Sequence, residues 1–227
     1  GAMDVGANVT ATAHAGFTAS DAILGSGLIT ANQLMLNGLG GVGTSGARIN
    51  TAVNVLAAAS GGGAGVYVNE TDAVTLAFYG VGNNAGNRYD LTAGGTVTVQ
   101  DGVTAAGGDV VLAASNILLN AGLTAGGGGD IRLTANGALN AAPSAMLVAE
   151  DIFLSAGNWL GDILSGSTLR ETQDLSITDT AGGLTLGTGL EAQRSLTVAT
   201  TGGGNLSVGG ATAGAQASGV GHLTLDS

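Results

Sequence analysis

Apolar and polar residues alternate in short runs that return along the chain. Ile131 and Leu133 flank Arg132, Leu175 and Ile177 flank Ser176, Leu184 and Leu186 flank Thr185, and Leu206 and Val208 flank Ser207. Successive side chains of a strand point to opposite faces, so each run predicts a β-strand with aliphatic residues inside and Ser, Thr or Arg outside. The starts Ile29, Ile49, Val68, Leu91, Val110, Ile131, Ile152, Leu175 and Leu196 recur every 19 to 24 residues. A second column, Leu34, Val53, Val74, Val97, Ile117, Leu139, Ile163, Leu184 and Leu206, interleaves with the first at the same spacing. A third runs through Val103, Leu123, Leu147, Leu169 and Leu190. A fixed period near 20 residues is the signature of stacked coils, and three columns predict a triangular cross-section.

The reading is therefore an all-β parallel β-helix of roughly ten coils, a rod on the order of 50 Å long if each coil rises about 4.8 Å. Glycine-rich corners such as Gly126 to Gly129 and Gly202 to Gly204 separate the strands, and the single proline, Pro143, falls between Leu139 and Leu147, where a corner is expected. No segment carries a 3.6-residue stripe. Two stretches break the pattern and are expected to leave the coil as loops: Ala77 to Asp90, with Phe78, Tyr79, Arg88 and Tyr89, and Ser155 to Thr172, with Trp159 and Arg170. Residues 1–3 read as a tag remnant, 4–28 as an irregular first coil or cap, and 29–227 as the repeats, a fragment of a longer protein.

Composition narrows the function classes. The chain is 44% apolar but only 3% aromatic, with 43 glycines among 227 residues, so its core has to be thin and built from Val, Leu, Ile and Ala. Five basic residues, all Arg, oppose 16 acidic ones for a net charge of −11. That balance excludes nucleic acid as a partner, because phosphate binding needs clustered cations. No apolar run is long enough for membrane insertion, and the absence of Cys rules out a disulfide framework.

The runs Thr96-Val97-Thr98-Val99, Gly108-Asp109-Val110-Val111-Leu112-Ala113-Ala114, Asn116-Ile117-Leu118-Leu119-Asn120 and Gly129-Asp130-Ile131-Arg132-Leu133-Thr134-Ala135 resemble the degenerate repeats of filamentous-haemagglutinin-like bacterial surface proteins. The resemblance covers roughly residues 29 to 208. It implies a right-handed parallel β-helix in a large secreted or cell-surface protein, often an adhesin. Its partners would be the adjacent repeats of the parent chain and a host or neighbouring-cell surface protein or glycan.

Four strands begin directly after Asp109, Asp130, Asp151 and Asp174, with Asp90 as a further candidate. Stacked about 4.8 Å apart, these carboxylates repel, by roughly 1 kcal/mol per neighbouring pair in water. Backbone N–H groups or a row of calcium ions would offset the repulsion, so calcium is the one cofactor considered and no other is expected. A polysaccharide-cleaving enzyme is the rival class, since that chemistry needs paired carboxylates and a basic group. Glu70 and Asp72 share a strand parity, whereas the adjacent Glu150 and Asp151 point apart. With no Lys and scattered Arg, the chain is read as non-catalytic. His14 and His222 lie near opposite ends, too far apart in sequence to suggest a shared metal site. The aromatic residues Tyr79, Tyr89, Trp159 and the outward Phe153 are the candidates for binding a sugar or a protein partner.

Overall fold

A computed structural model describes residues 1–161, 169–170, 173–180, 184–192, 194–201, 206–213 and 222–226. All regular structure among these residues is β, with no helix. Strands pair in parallel with the strand one coil before and one coil after, which is the β-solenoid that alternation and period predict.

The first face is the longest uninterrupted register. Val66, Tyr89, Val110, Ile131, Ile152, Leu175 and Leu196 stand directly over one another. Two residues further along, Ile49, Val68, Leu91, Leu112, Leu133, Leu154, Ile177 and Val198 form a parallel column. Both columns are buried along their whole length. On this face the sequence column is right in face and off in register at two places. Leu91 stands on Leu112 rather than Val110, and Ile29 stands on Thr51 rather than Ile49. A slip of two residues returns every side chain to its own face, so alternation has no power to detect it.

On the second face Val74, Val97, Ile117 and Leu139 stack as expected, and the next rung is Trp159. Ile163, assigned to that rung from sequence, lies outside the described residues. Leu34 stands on Leu56, not on Val53, whose partner is Ala31. Leu184 pairs with Leu206. The third face carries Val103, Leu123, Leu147 and Leu169 in register, and Leu190 pairs with Ala211.

Residues 4–28 contribute paired strands. Met3–Asp4 pairs with Ile23–Leu24, Val9–Thr10 with Ile29–Thr30, and His14–Ala19 with Gln33–Gly38. The strand Ile49–Gly62 runs without a break from the first face through the second to the third, and Leu28–Gly38 pairs along it from Asn50 to Ser60. From Val66 to Ala125 the faces are separate short strands, and Ile131–Ala141 and Asp151–Gly161 again run through the first and second faces.

The structure corrects both expected loops. Of the stretch from Ala77 to Asp90 only residues 77–82 leave the coil, closed by an antiparallel bridge between Tyr79 and Val81. Strand Asn83–Gly86 rejoins the third face, and Tyr89 opens the next strand of the first. The strand Asp151–Gly161 carries the coil straight through the start of the second expected loop; residues 162–168 and 171–172 lie outside the described set.

Candidate functional site

Strand starts on the first face bring the charged residues of successive coils to one outer corner. Because Val110, Ile131, Ile152 and Leu175 stack in register, the residues just before them, Asp109, Asp130, Asp151 and Asp174, form the row read from sequence, and Asp151 pairs with Asp174 directly. Asp90 does not extend it. Asp90 stands over Val111, two positions further into the strand, and the place in the row below Asp109 is held by Arg88.

Arginines supply counter-charge to the row. Arg88 Nη1 reaches Asp109 Oδ2 at 2.5 Å while its Nε donates to Asp90 Oδ2 at 2.9 Å. Arg48, two coils below Asp90, donates to Asp90 Oδ1 at 2.5 Å. Arg132 binds Asp130 Oδ2 at 2.6 Å. At the far end Arg194 binds Asp174 Oδ2 at 2.5 Å and approaches Asp151 Oδ1 at 3.8 Å. Backbone donors contribute as well. Asp109 Oδ1 accepts the Asp130 N–H at 3.1 Å, and Asp151 Oδ1 accepts the Asp174 N–H at 2.9 Å.

The result is a row of four aspartates with Arg88 and Arg194 at its ends and Arg132 beside Asp130, tied coil to coil by the end arginines and the two backbone bonds. Its consequence shows at Asp174, whose carboxyl is held below its ordinary range chiefly by the hydrogen bonds from Arg194, whose own guanidinium is pushed up in turn. Among the described residues no group of three or more His, Cys, Asp or Glu side chains is placed to hold a metal ion. The arginines were within reach of sequence reasoning: Arg88 precedes Asp109 by 21 residues and Arg194 follows Asp174 by 20, one coil in each case.

Glu70 and Asp72 lie side by side in unequal surroundings, and the Asp72 side chain adds to the upward shift that burial gives the Glu70 carboxyl. Glu70 ends the strand Val66–Glu70 on its inward parity and is 2% exposed, whereas Asp72 is exposed and gives its backbone N–H to Glu70 Oε1 at 3.3 Å. Glu70 Oε2 also accepts the Thr51 hydroxyl at 2.7 Å, and its carboxylate takes the N–H groups of Val53 and Thr71. Burial raises the pKa of this carboxyl, and the Thr51 hydrogen bond opposes the rise. Glu70 therefore plugs a corner of the coil. Alternation along Val66, Val68, Glu70 was the available signal for its inward position.

The four aromatic candidates fall into different environments. Tyr89 is the clearest correction: it is fully buried in the first-face column, and its hydroxyl donates to Asn83 Oδ1 at 2.8 Å. Burial drives its pKa far upward, and no partner can reach it. Trp159 lies in a strand, packs against the core and directs its indole N–H at Asp179 Oδ1, 3.3 Å away. Phe153 faces outward as expected, with the Arg132 guanidinium over its ring at 4.0 Å. Tyr79 projects from the 77–82 excursion back onto His14 of the first coil, with ring centroids 5.5 Å apart. Phe78 beside it, 67% exposed, was not singled out as a binding residue from sequence. His222 lies in the strand that pairs with Ser195–Ala199.

No protein-family model, curated protein or solved structure matches the chain.

Proposed function

We propose that the chain is a stiff structural segment of a large secreted or cell-surface bacterial protein of the filamentous-haemagglutinin-like, adhesin type, which spaces or presents a binding region. One observation carries this reading: described charged side chains at the outer corner bridge coils, Arg88 to Asp109 and Arg194 to Asp174 across one coil step, Arg48 to Asp90 and Arg194 to Asp151 across two. Charges used this way resist shear and bending of one coil on the next. The parallel register of the first face supports the same role, because a column without interruption transmits load along the rod. The repeat runs that resemble surface-protein repeats supply the bacterial, extracellular setting.

The test uses the producing cell. An antibody raised against this chain is expected to label intact cells or the culture fluid, and labelling confined to the cell interior would overturn the proposal. Removing residues 110–130 from the chain brings Ile131 onto the Tyr89 rung that Val110 occupies now. That deletion should leave a folded rod shorter by about 4.8 Å, measured by solution scattering, as a spacer requires.

A further inference from the structure

Two neighbouring coils carry extra residues at one corner of the first face. Val42 stands under Val66 and Ile49 under Val68, so an interval that a later coil crosses with Tyr67 alone is filled here by residues 43–48. The coil before it places residues 24–27 between Ile23, the partner of Val42, and Leu28, the partner of Asn50. Insertions that recur at one corner of a repeat protein stack into a continuous surface on a rigid scaffold, which is where such folds place binding loops.

These two insertions enclose an open cleft of about 520 Å³ lined by Gly25, Ser26, Ser45, Arg48, Asn50 and Asn69. That volume is in the range of small-molecule sites. Its walls are fixed. Gly25 and Gly43 sit at φ 135° and 63°, and a Cβ at either would strike the backbone of Val5 or Tyr67. Thr44 and Ala47 exchange backbone hydrogen bonds of 2.9 and 3.2 Å across the larger insertion. Arg48 anchors its end through Nη1 to the carbonyls of Val68 and Asp90, at 3.1 and 3.2 Å, and through Nη2 to the Asp90 carboxylate. On the floor Asn69 Nδ2 donates to Asn50 Oδ1, whose own Nδ2 donates to Ser26 O, each at 3.3 Å.

The groups left over define the ligand. The hydroxyls of Ser26 and Ser45, the Asn69 side-chain carbonyl and the Arg48 Nε–H take no part in these bonds. Arg48 brings no net charge, since Asp90 neutralises it, and a chain of net charge −11 repels polyanions. No apolar side chain larger than Ala47 lines the cleft, so it offers nothing to anchor a peptide. Hydroxyls and amides that both donate and accept are the complement of sugar hydroxyls, which do the same. We propose that this cleft binds a neutral oligosaccharide on the flank of the rod.

The site is independent of the stalk role, which would stand without it. Screening the whole chain against the neutral and sulfated members of a glycan array, followed by calorimetric titration of each positive glycan, provides the test. At least one neutral oligosaccharide is expected to bind saturably, and the double substitution Ser45→Ala with Asn69→Ala should weaken it by about tenfold or more. Both side chains are exposed, so the thermal midpoint of the variant should match the parent and separate lost binding from lost fold. Asn54→Ala, on the second face, should leave the affinity unchanged. Binding to sulfated glycans alone, no binding by any neutral glycan, or binding that the double substitution does not alter overturns the proposal.

Discussion

The coils before Tyr89 and those from Tyr89 to Ala156 build the same inward corner in opposite ways. In register, one column runs Thr51, Glu70, Ala93, Ala114, Ala135, Ala156, Asp179, Thr200. At the lower end Thr51 and Glu70 satisfy the corner N–H groups with a buried hydrogen-bonded carboxylate. In the middle four alanines fill the same place with methyl groups, and the corner backbone bonds directly across coils, as Gly137 N does to Ser115 O at 2.8 Å. The buried Asn83 shows the polar solution again. It occupies the third-face rung below Val103 and bonds Ala58 N, Leu56 O and the Tyr89 hydroxyl where the 77–82 excursion interrupts the ladder. Irregular backbone needs side-chain partners and regular backbone does not, because every buried peptide group must be paired one way or the other.

Exchanging the two solutions should produce the largest effect. Ala114→Glu puts a carboxylate between Ala93 and Ala135 with no hydroxyl to meet it, and it should cost about 3 kcal/mol or more in chemical denaturation. Adding Ala93→Thr, which copies Thr51 beneath Glu70, should recover part of that loss; no recovery would mean the two regions differ in more than this column. The reverse change, Glu70→Ala, strands the N–H of Val53 and the Thr51 hydroxyl, while the Thr71 N–H keeps the Thr51 carbonyl at 2.9 Å, and should cost about 2–3 kcal/mol. Hydrogen exchange should then quicken around Thr51 to Asp72 while Val110 to Ala156 keep their protection.

Acid separates the regions next. Burial holds the Glu70 carboxyl above its ordinary value of 4.5, so the folded chain keeps this proton at pH values where the unfolded chain has lost it. Stability from Glu70 is therefore fullest below 4.5 and falls as pH rises from there through the raised value. Asp174 has the opposite sign. Its pKa lies below 3.8, so its contribution is present above 3.8 and is lost as pH falls through the lowered value. Urea midpoints measured across the acid range should lose the Glu70 slope in Glu70→Gln and keep the Asp174 slope.

The charged row and the outer face should respond least. Arg88→Met removes the partner shared by Asp90 and Asp109; the buried Asp90 keeps Arg48 and Asp109 is partly exposed, so the cost should be about 1 kcal/mol, shrinking as salt is added. Phe153→Ala loses the ring beneath Arg132 and should cost about 0.5–1 kcal/mol, read as a small shift in thermal midpoint.

The faces, the period and the inward residues were legible because each is a one-dimensional property of alternation and spacing. Register was not, since Leu91 over Val110 and Leu91 over Leu112 satisfy the same alternation. Tyr89 shows the result: with Val110 assigned to Leu91, the tyrosine had no rung, and it read as a loop residue beside glycine and asparagine. Trp159 was displaced in the same way by Ile163. In the row from Asp109 to Asp174 the aspartates and, by their one-coil spacing, Arg88 and Arg194 were legible, whereas Arg48 joins from two coils away and Arg132 from within the strand.

Sequence by itself determined that this chain is a parallel stack of short strands around a thin aliphatic core, since a period near 20 residues and a period of two leave no other way to bury its Val, Leu and Ile. Tertiary structure decided how the coils lock together: which of two equivalent registers is used, that the aspartate row is met by arginines, and that Glu70 and Asn83 lie inside. Those choices depend on side chains about 20 residues apart meeting across a spacing of about 4.8 Å, and only the stacked coils bring them that close.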